Sequence, residues 1–483
     1  MTKKPPTILV IFGVTGDLSE RKLIPALFDL YVNKCLPDAF RIVGFARRGK
    51  SDDEFRTFAE GVIAKRGHRR KKATVKNFLN KLVYQQGVFE DAETYERLAE
   101  RLIAMEQEFG RCSNKLFYLA VPPVSYETIL QNLADSGLSI PCSNNEGWTR
   151  ILVEKPFGKD LATAQKLDRM LGLLFKEDQI FRIDHYLAKE TLQNILTFRF
   201  SNKLFEPIWN NKHIEMVEIK LWEEGGIEGR GDFYEDIGAL RDVGQNHLLQ
   251  MLAFVAMENP GSLAAGPIRH ERVKVLRALK PISPAGIARH TLRGQYKGYQ
   301  KEEGVTAYSQ VETYFRIESE IDNGRWRGVP FVLESGKKMR ETKTEISVYF
   351  KESASCLCPP EIAQHHQNVL TFRVQPDEGI SIIFWAKKPG FKTQLEQKRL
   401  SFSYKDSPDI VKIPDAYERV LYDCIRGDQI LFTSTEEVTA AWQFITPLLE
   451  YWGGTELHEY EQGSEGPGIN SKIKSQPIRQ AQG

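Results

Sequence analysis

Ile8–Phe12 (ILVIF) is an apolar run with no polar interruption, which predicts a strand buried on both faces of a parallel sheet. Ile24, Leu27, Phe28 and Tyr31 then recur at the spacing of one helix face, and Pro25 must kink that helix or occupy its first turn. Further strands are predicted at Arg41–Ala46, Lys115–Ala120 and Arg150–Glu154. Asp160 is placed to cap a helix that carries Leu167, Met170, Leu171 and Leu174 on one side. Strands alternating with helices predict an α/β domain built on a parallel sheet.

The pattern changes near residue 180. Longer alternating segments at His213–Leu221, Thr306–Glu318, Glu345–Phe350, Val369–Val374 and Gly379–Ala386 predict an antiparallel sheet, and Leu248–Ala256 predicts a helix. Several of these strands look paired in sequence order. The expected fold class is therefore α/β plus α+β. A Rossmann-like dinucleotide-binding domain spans 1–180, and a larger domain with a mainly antiparallel sheet and helices spans 181–455. Residues 456–483 are poor in apolar side chains and are expected to form a flexible tail.

Composition narrows the function classes. Of the 483 residues, 41% are hydrophobic and 27% charged, ordinary values for a globular protein. A net charge of +2 creates no global attraction to nucleic acid or membrane. The basic run Lys65–Lys72 reads as a solvated face or loop rather than a polyanion patch. Six cysteines in a chain of this length make no disulfide framework, so reduced thiols in the cytoplasm are the expectation. The isolated Cys356-x-Cys358 lacks the companions of a zinc site, and no metal is expected. No apolar stretch approaches the roughly 20 residues that cross a bilayer, and the N-terminal run is too short for a signal peptide.

The candidate chemistry begins right after the first strand. Gly13-Val14-Thr15-Gly16-Asp17-Leu18 lies between strand and helix, where glycines admit a pyrophosphate and the helix start supplies free N–H groups. The fingerprint is incomplete, because Ile11 stands where a further glycine is usual. The second strand ends in Arg47-Arg48 with no carboxylate for a ribose 2′-hydroxyl. Arginine there suits a 2′-phosphate, which favours NADP over NAD.

Three more segments carry charge in patterns suited to catalysis. Glu154-Lys155-Pro156-Phe157-Gly158 falls at the end of a predicted parallel strand, where such sheets bind ligands. Arg182–Glu190 (RIDHYLAKE) packs cation, carboxylate, imidazole and phenol closely, as a phosphorylated sugar would need. In that reading Arg, His and Lys meet the phosphate, while Asp and Tyr meet hydroxyls or orient a base. Asp242–His247 (DVGQNH) introduces an apolar helix. Alcohol oxidation by hydride transfer needs a base for the hydroxyl proton, and histidine suits that role at neutral pH. His247 is the candidate base and Asp184 the carboxylate that would orient it.

EKPFG, RIDHYLAKE and DVGQNHLLQ, in that order and preceded by GVTGDL, resemble the glucose-6-phosphate dehydrogenases. The resemblance continues through Glu228–Arg230, Arg325–Phe331, Ser335–Lys337, Arg373–Pro376 and Asp415–Arg419, and so covers about residues 7 to 450. It implies oxidation of glucose 6-phosphate at C1 with hydride transfer to NADP, with His247 as general base and Asp184 as its partner. Lys155 would lie between cofactor and sugar. His185, Tyr186 and Lys189 would bind the phosphate, and Glu223 and Asp242 the sugar hydroxyls. Lys337 would reach the substrate from the second domain, with Gln375 a weaker candidate. Gly13, Thr15, Gly16, Asp17, Leu18, Arg47 and Lys155, with Lys22 a further candidate, would hold NADP. A homodimer or homotetramer formed through the antiparallel sheet is also implied.

The chain departs from the family pattern in places. Ala188 stands where glycine is usual, which would crowd the phosphate loop by one methyl. A common basic position falls on Thr342, where Arg340 or Lys343 would have to substitute. The tail after Gly463 lacks the longer ending that would support a second, structural NADP site. Two other readings stay open here: a protein that senses NADPH or sugar phosphate without turnover, and an NADP oxidoreductase acting on another aldose. The first is disfavoured by the presence of His247 and Asp184. Preference for phosphorylated over free sugar separates the second.

Overall fold

An apolar run with no polar side is satisfied only between two covering layers, and β1 (Thr7–Phe12) is buried at every position. The structure is a computed structural model and describes residues 5–65, 71–142, 146–352, 366–392, 394–406 and 413–468. After β1 come β2 (Phe40–Ala46), β3 (Leu82–Gln86), β4 (Asn114–Leu119), β5 (Thr149–Val153) and β6 (Ile180–Ile183). They form a parallel sheet in the order β6-β5-β4-β1-β2-β3. The order reverses between β1 and β4, and in open α/β sheets ligands bind beyond the strand ends at such a reversal. Pro25 lies in the first turn of the helix Ile24–Val32, which follows directly on a π-helical turn at Ser19–Leu23. Asp160 caps Leu161–Leu174, its carboxylate accepting from the Thr163 N–H at 2.8 Å.

The second sheet starts with β7 (Ile214–Trp222), β8 (Thr291–Tyr296) and β9 (Tyr314–Glu320). It continues with β10 (Pro330–Gly336), β11 (Lys343–Phe350), β12 (Val369–Gln375), β13 (Gly379–Lys387) and β14 (Leu395–Ser403). The chain then returns to the first sheet as β15 (Phe432–Thr433), antiparallel to β6, before ending in β16 (Leu457–Tyr460). The second sheet has the order β14-β13-β12-β11-β7-β10-β9-β8-β16 and is antiparallel except at β7/β10 and β8/β16. Fold class therefore follows the sequence reading: a parallel sheet, then a larger and mainly antiparallel one. Sequence-order pairing holds from β11 to β14, but the central partners β7 and β10 are far apart in the chain.

Several expectations are corrected. The strand read at Thr306–Glu318 begins only at Tyr314, because Thr306 and Ser309 hydrogen-bond to Glu235 and Tyr308 adopts φ 61°. Within the expected tail from residue 456, the described residues 456–468 are ordered. β16 pairs with β8, and the Gly463 N–H donates to the Lys338 carbonyl at 2.7 Å. The divide at 180/181 falls at the start of β6, a strand of the first sheet. The expectation of reduced thiols fails at one pair, since Cys112 and Cys142 are disulfide-bonded with Cα atoms 6.0 Å apart. They lead toward β4 and β5, so adjacency of those two strands brings together cysteines that spacing does not connect. Cys35 and Cys424 are free. Cys356 and Cys358 lie outside the described residues, as does most of the basic run Lys65–Lys72. No described helix is long and apolar enough to cross a membrane.

Candidate active site

The carboxyl ends of β1, β4, β5 and β6 stand side by side and carry the first group of candidate residues. Beyond β1, Gly13 adopts φ +80°, and a Cβ there would lie 2.4 Å from the Ala120 carbonyl oxygen beyond β4. Only glycine fits. The Gly16 N–H closes the turn onto the Gly13 carbonyl at 2.9 Å, and the chain enters a π-helical turn at Ser19–Leu23. Thr15, Gly16, Asp17 and Leu18 line this turn; Asp17 is paired with Arg21 at 2.6 Å on the surface. Arg47 and Arg48 are exposed beyond β2 while their carbonyls accept from Gln86 and Tyr84, which fixes the backbone and leaves the guanidinium groups in solvent.

Glu154 and Lys155 follow β5. The segment behind them turns at Gly158, φ +81°, where a Cβ would strike the Ala164 nitrogen at 2.4 Å. It is also tied to the second half of the chain, because the Trp442 indole N–H donates to the Phe157 carbonyl at 2.9 Å. Glu154 is half-buried, and its carboxylate accepts from the Tyr118 hydroxyl at 2.5 Å. Burial, partly offset by Tyr118 and the charge of Lys155, pushes its pKa up to about 7.

Asp184 follows β6 and meets His247, which lies on the π-helical segment Leu240–Leu248. Nδ1 of His247 is 2.6 Å from Oδ1 of Asp184, and both side chains are 1% exposed. The same oxygen accepts from the Tyr186 N–H at 3.0 Å. Burial opposes the Asp184 charge, but His247 outweighs it and holds the carboxyl below its ordinary value. Burial pushes the His247 imidazole down, with Asp184 pulling partly back, so the ring is neutral at neutral pH. Sequence predicts an ordinary helix from Leu248; the π-helix before it is the structure's addition. In an α-helix, residues five apart are rotated by about 140°. The wider π turn brings Asp242 and His247 nearer one face.

Asp242 joins two lysines. Lys155 Nζ donates to its carbonyl at 2.8 Å and its carboxylate at 3.2 Å, and Lys337 Nζ lies 3.7 Å from the other oxygen. Burial disfavours the Asp242 charge, yet Lys155 and Lys337 overcome it and hold the carboxyl far below the usual range. Lys337 also donates to Glu223 at 2.6 Å. Around the dyad, the rings of His185 and Tyr186 lie 4.8 Å and 4.4 Å from that of His247. Burial, with His247 and the charge of Lys155 nearby, pushes His185 well below the ordinary histidine value. Gln375 donates to the Tyr186 hydroxyl at 3.0 Å. Lys189 stands at the N-terminal end of the following helix, near His185, without a side-chain capping hydrogen bond.

The structure thus brings Asp184, His185, Tyr186, Glu223, Asp242, His247, Lys155, Lys337 and Gln375 into one connected cluster. Lys22 lies 3.5 Å from Asp415 and over the Tyr417 ring, which itself stacks on that of His185. The reading that Arg182 meets a phosphate is corrected. It is a strand residue whose guanidinium is fully buried against Asp168, Glu177 and Thr435. Ala188 is buried with no positive φ, so its methyl strains no backbone. The Thr342 hydroxyl accepts from the Glu224 N–H at 3.1 Å, while Arg340 pairs with Glu465 and Lys343 with Glu341. Sequence reasoning assigned no role to Tyr118 or to the Glu154 carboxylate; a carboxylate closing an apolar strand was the only signal.

Two family models cover the chain: the glucose-6-phosphate dehydrogenase NAD binding domain over residues 10–194 and the C-terminal domain over 196–479. Glucose-6-phosphate 1-dehydrogenase of Chlamydia muridarum is 41% identical over 93% of this chain and 90% of its own. That of Aggregatibacter actinomycetemcomitans is 41% identical over 96% and 95%. A glucose-6-phosphate dehydrogenase solved in complex with its substrate glucose-6-phosphate superposes with a TM-score of 0.89, at 35% identity and 97% coverage of both chains. The Mycobacterium avium glucose-6-phosphate 1-dehydrogenase gives 0.82, at 33% identity and 96% coverage of both. With the paired sheets, the glycine turn and the buried His247–Asp184 contact already in place, these matches establish that the chain belongs to the glucose-6-phosphate dehydrogenase family.

Proposed function

We propose that this chain oxidises D-glucose 6-phosphate at C1 to 6-phospho-D-glucono-1,5-lactone with NADP⁺, the first step of the oxidative pentose phosphate pathway. The observation that carries the mechanism is the 2.6 Å contact between His247 and Asp184, buried beside two lysines. The family membership and the substrate named for the solved relative support the choice of sugar.

The residues present fit a dinucleotide, since the tight Gly13 turn, where a Cβ would strike the Ala120 carbonyl, leads from β1 straight into the helical turn at Ser19–Leu23. Gly13, Thr15, Gly16, Asp17 and Leu18 would hold the pyrophosphate end, and Arg47 the 2′-phosphate. When bound, NADP⁺ supplies the hydride acceptor. His247 uses Nε2 to take the C1 hydroxyl proton as hydride leaves the same carbon. Its Nδ1–H donates to Asp184, which fixes the tautomer and stabilises the imidazolium that forms. Lys155, Asp242, Lys337 and Glu223 form a charged lattice that binds the sugar hydroxyls and orients C1 toward the base. His185, Tyr186 and Lys189 bind the phosphate, with neutral His185 acting as a hydrogen-bond donor and Lys189 supplying charge. Gln375 steadies Tyr186.

The active form is a homodimer or homotetramer in the cytoplasm, associated through the second sheet. The edge strand β14, with Leu400 and Phe402 exposed, supports association there. Sedimentation of the purified protein tests it, and a monomer at working concentration rejects it. The activity itself is tested by following NADPH absorbance with glucose 6-phosphate, free glucose, NADP⁺ and NAD⁺ in separate combinations. Turnover confined to the phosphorylated sugar and fastest with NADP⁺ supports the proposal. Equal rates with free glucose, or none with glucose 6-phosphate, reject it.

A further inference from the structure

Asp184 and His247 are carried by different parts of the fold, so their contact must be held from both sides. β6, which delivers Asp184, is short. It pairs with β5 at three positions and with β15 at two, and these main-chain restraints end at Ile183, one residue short of Asp184. Arg182, two residues before Asp184, supplies others. Its guanidinium donates to Asp168 at 2.7 Å, to both oxygens of Glu177 at 3.1 and 3.2 Å, and to the Thr435 hydroxyl at 2.6 Å. Thr435 is the first residue of the helix Thr435–Trp452, which packs against the π-helical segment bearing His247. Glu177 is held in turn by Arg269 at 2.5 Å and by the Thr435 N–H at 3.2 Å.

We propose that Arg182 is a positioning residue for the dyad, joining the end of β6 to the helix Thr435–Trp452 and so fixing the separation of Asp184 and His247. The inference rests on the catalytic reading above. A buried ionic knot is a poor source of stability, because packed apolar side chains of similar volume often do as well. What it provides is geometry: the planar guanidinium meets three partners at fixed angles, which an ammonium cannot do.

The test compares Arg182→Lys with Thr435→Val, which removes the hydroxyl that accepts from Arg182 and donates to Glu177 and Asp168, and removes no charge. Four quantities are read in the full-length protein. They are kcat and KM for glucose 6-phosphate, the melting temperature, and the low-field proton resonance of the His247–Asp184 hydrogen bond, identified by its loss in His247→Asn. Positioning predicts a shifted or weakened resonance and a kcat lowered by about 10- to 100-fold for Arg182→Lys, since small misplacements of reacting groups cost that much. KM stays within about two-fold, because sugar contacts made equally in ground and transition states are intact. Thr435→Val shows the same changes to a smaller degree with melting unchanged. If Arg182→Lys does not fold, Thr435→Val alone decides. A lower melting temperature with unchanged kcat and resonance overturns the proposal. Should the wild type fail to oxidise glucose 6-phosphate, the catalytic reading falls, while the resonance still decides the positioning.

Discussion

His247 Nδ1 lies 2.6 Å from Asp184 Oδ1, and neither side chain is more than 1% exposed. Burial keeps the imidazole neutral, and the carboxylate keeps its proton on the nitrogen that faces Asp184. His247→Asn is expected to lower kcat by orders of magnitude with little change in KM, and Asp184→Asn to lower it by about 10³- to 10⁴-fold through the wrong tautomer. Steady-state kinetics with glucose 6-phosphate check both. Because burial depresses the His247 pKa, the acid limb of kcat/KM falls below the ordinary imidazole value of about 6.5. A limb at or above that value contradicts the assignment.

Lys337 sits between Glu223 and Asp242 and is almost fully buried. Lys337→Met is expected to raise KM for the sugar by about 10- to 100-fold, the range of a charge-assisted hydrogen bond, while leaving NADP⁺ affinity within about two-fold. Equal losses for sugar and cofactor, measured by fluorescence titration of the cofactor beside sugar kinetics, would place this lysine elsewhere.

Arg47 extends from a backbone fixed by Gln86 and has no carboxylate beside it at the end of β2. Arg47→Ala is expected to weaken NADP⁺ much more than NAD⁺, by about 10-fold or more, because only NADP⁺ carries the phosphate it would bind. Dissociation constants for the two dinucleotides decide the matter, and parallel losses would reject the role.

Glu154 gives a pH signature in stability. Its folded pKa, pushed up to about 7, stands above the ordinary carboxyl value of 4.5. The unfolded carboxyl therefore ionises first as pH rises, and the folded state binds more protons across that window. Stability falls as pH rises from 4.5 to about 7, by at most about 3 kcal/mol. Glu154→Gln is expected to flatten that dependence in denaturant titrations at several pH values. An unchanged slope would show that the carboxyl is ionised throughout.

The sequence by itself determined the central strands, the glycine turn and the charged segments. An apolar run such as Ile8–Phe12 leaves one physical solution, and an N-cap such as Asp160 acts within a single turn. It also named His247 and Asp184, since local motifs carry the residue types that the chemistry needs. Tertiary structure decided what depends on distant partners. Cys112 meets Cys142 because β4 and β5 are neighbours, and residues 457–460 are ordered because β8 offers a free edge. Arg182 lies in the same motif as Asp184, and composition cannot tell which cation of that motif faces substrate. Its burial against Asp168, Glu177 and Thr435 arises from packing between residues up to 253 apart in the chain, and pairings at that range leave no local periodicity to read.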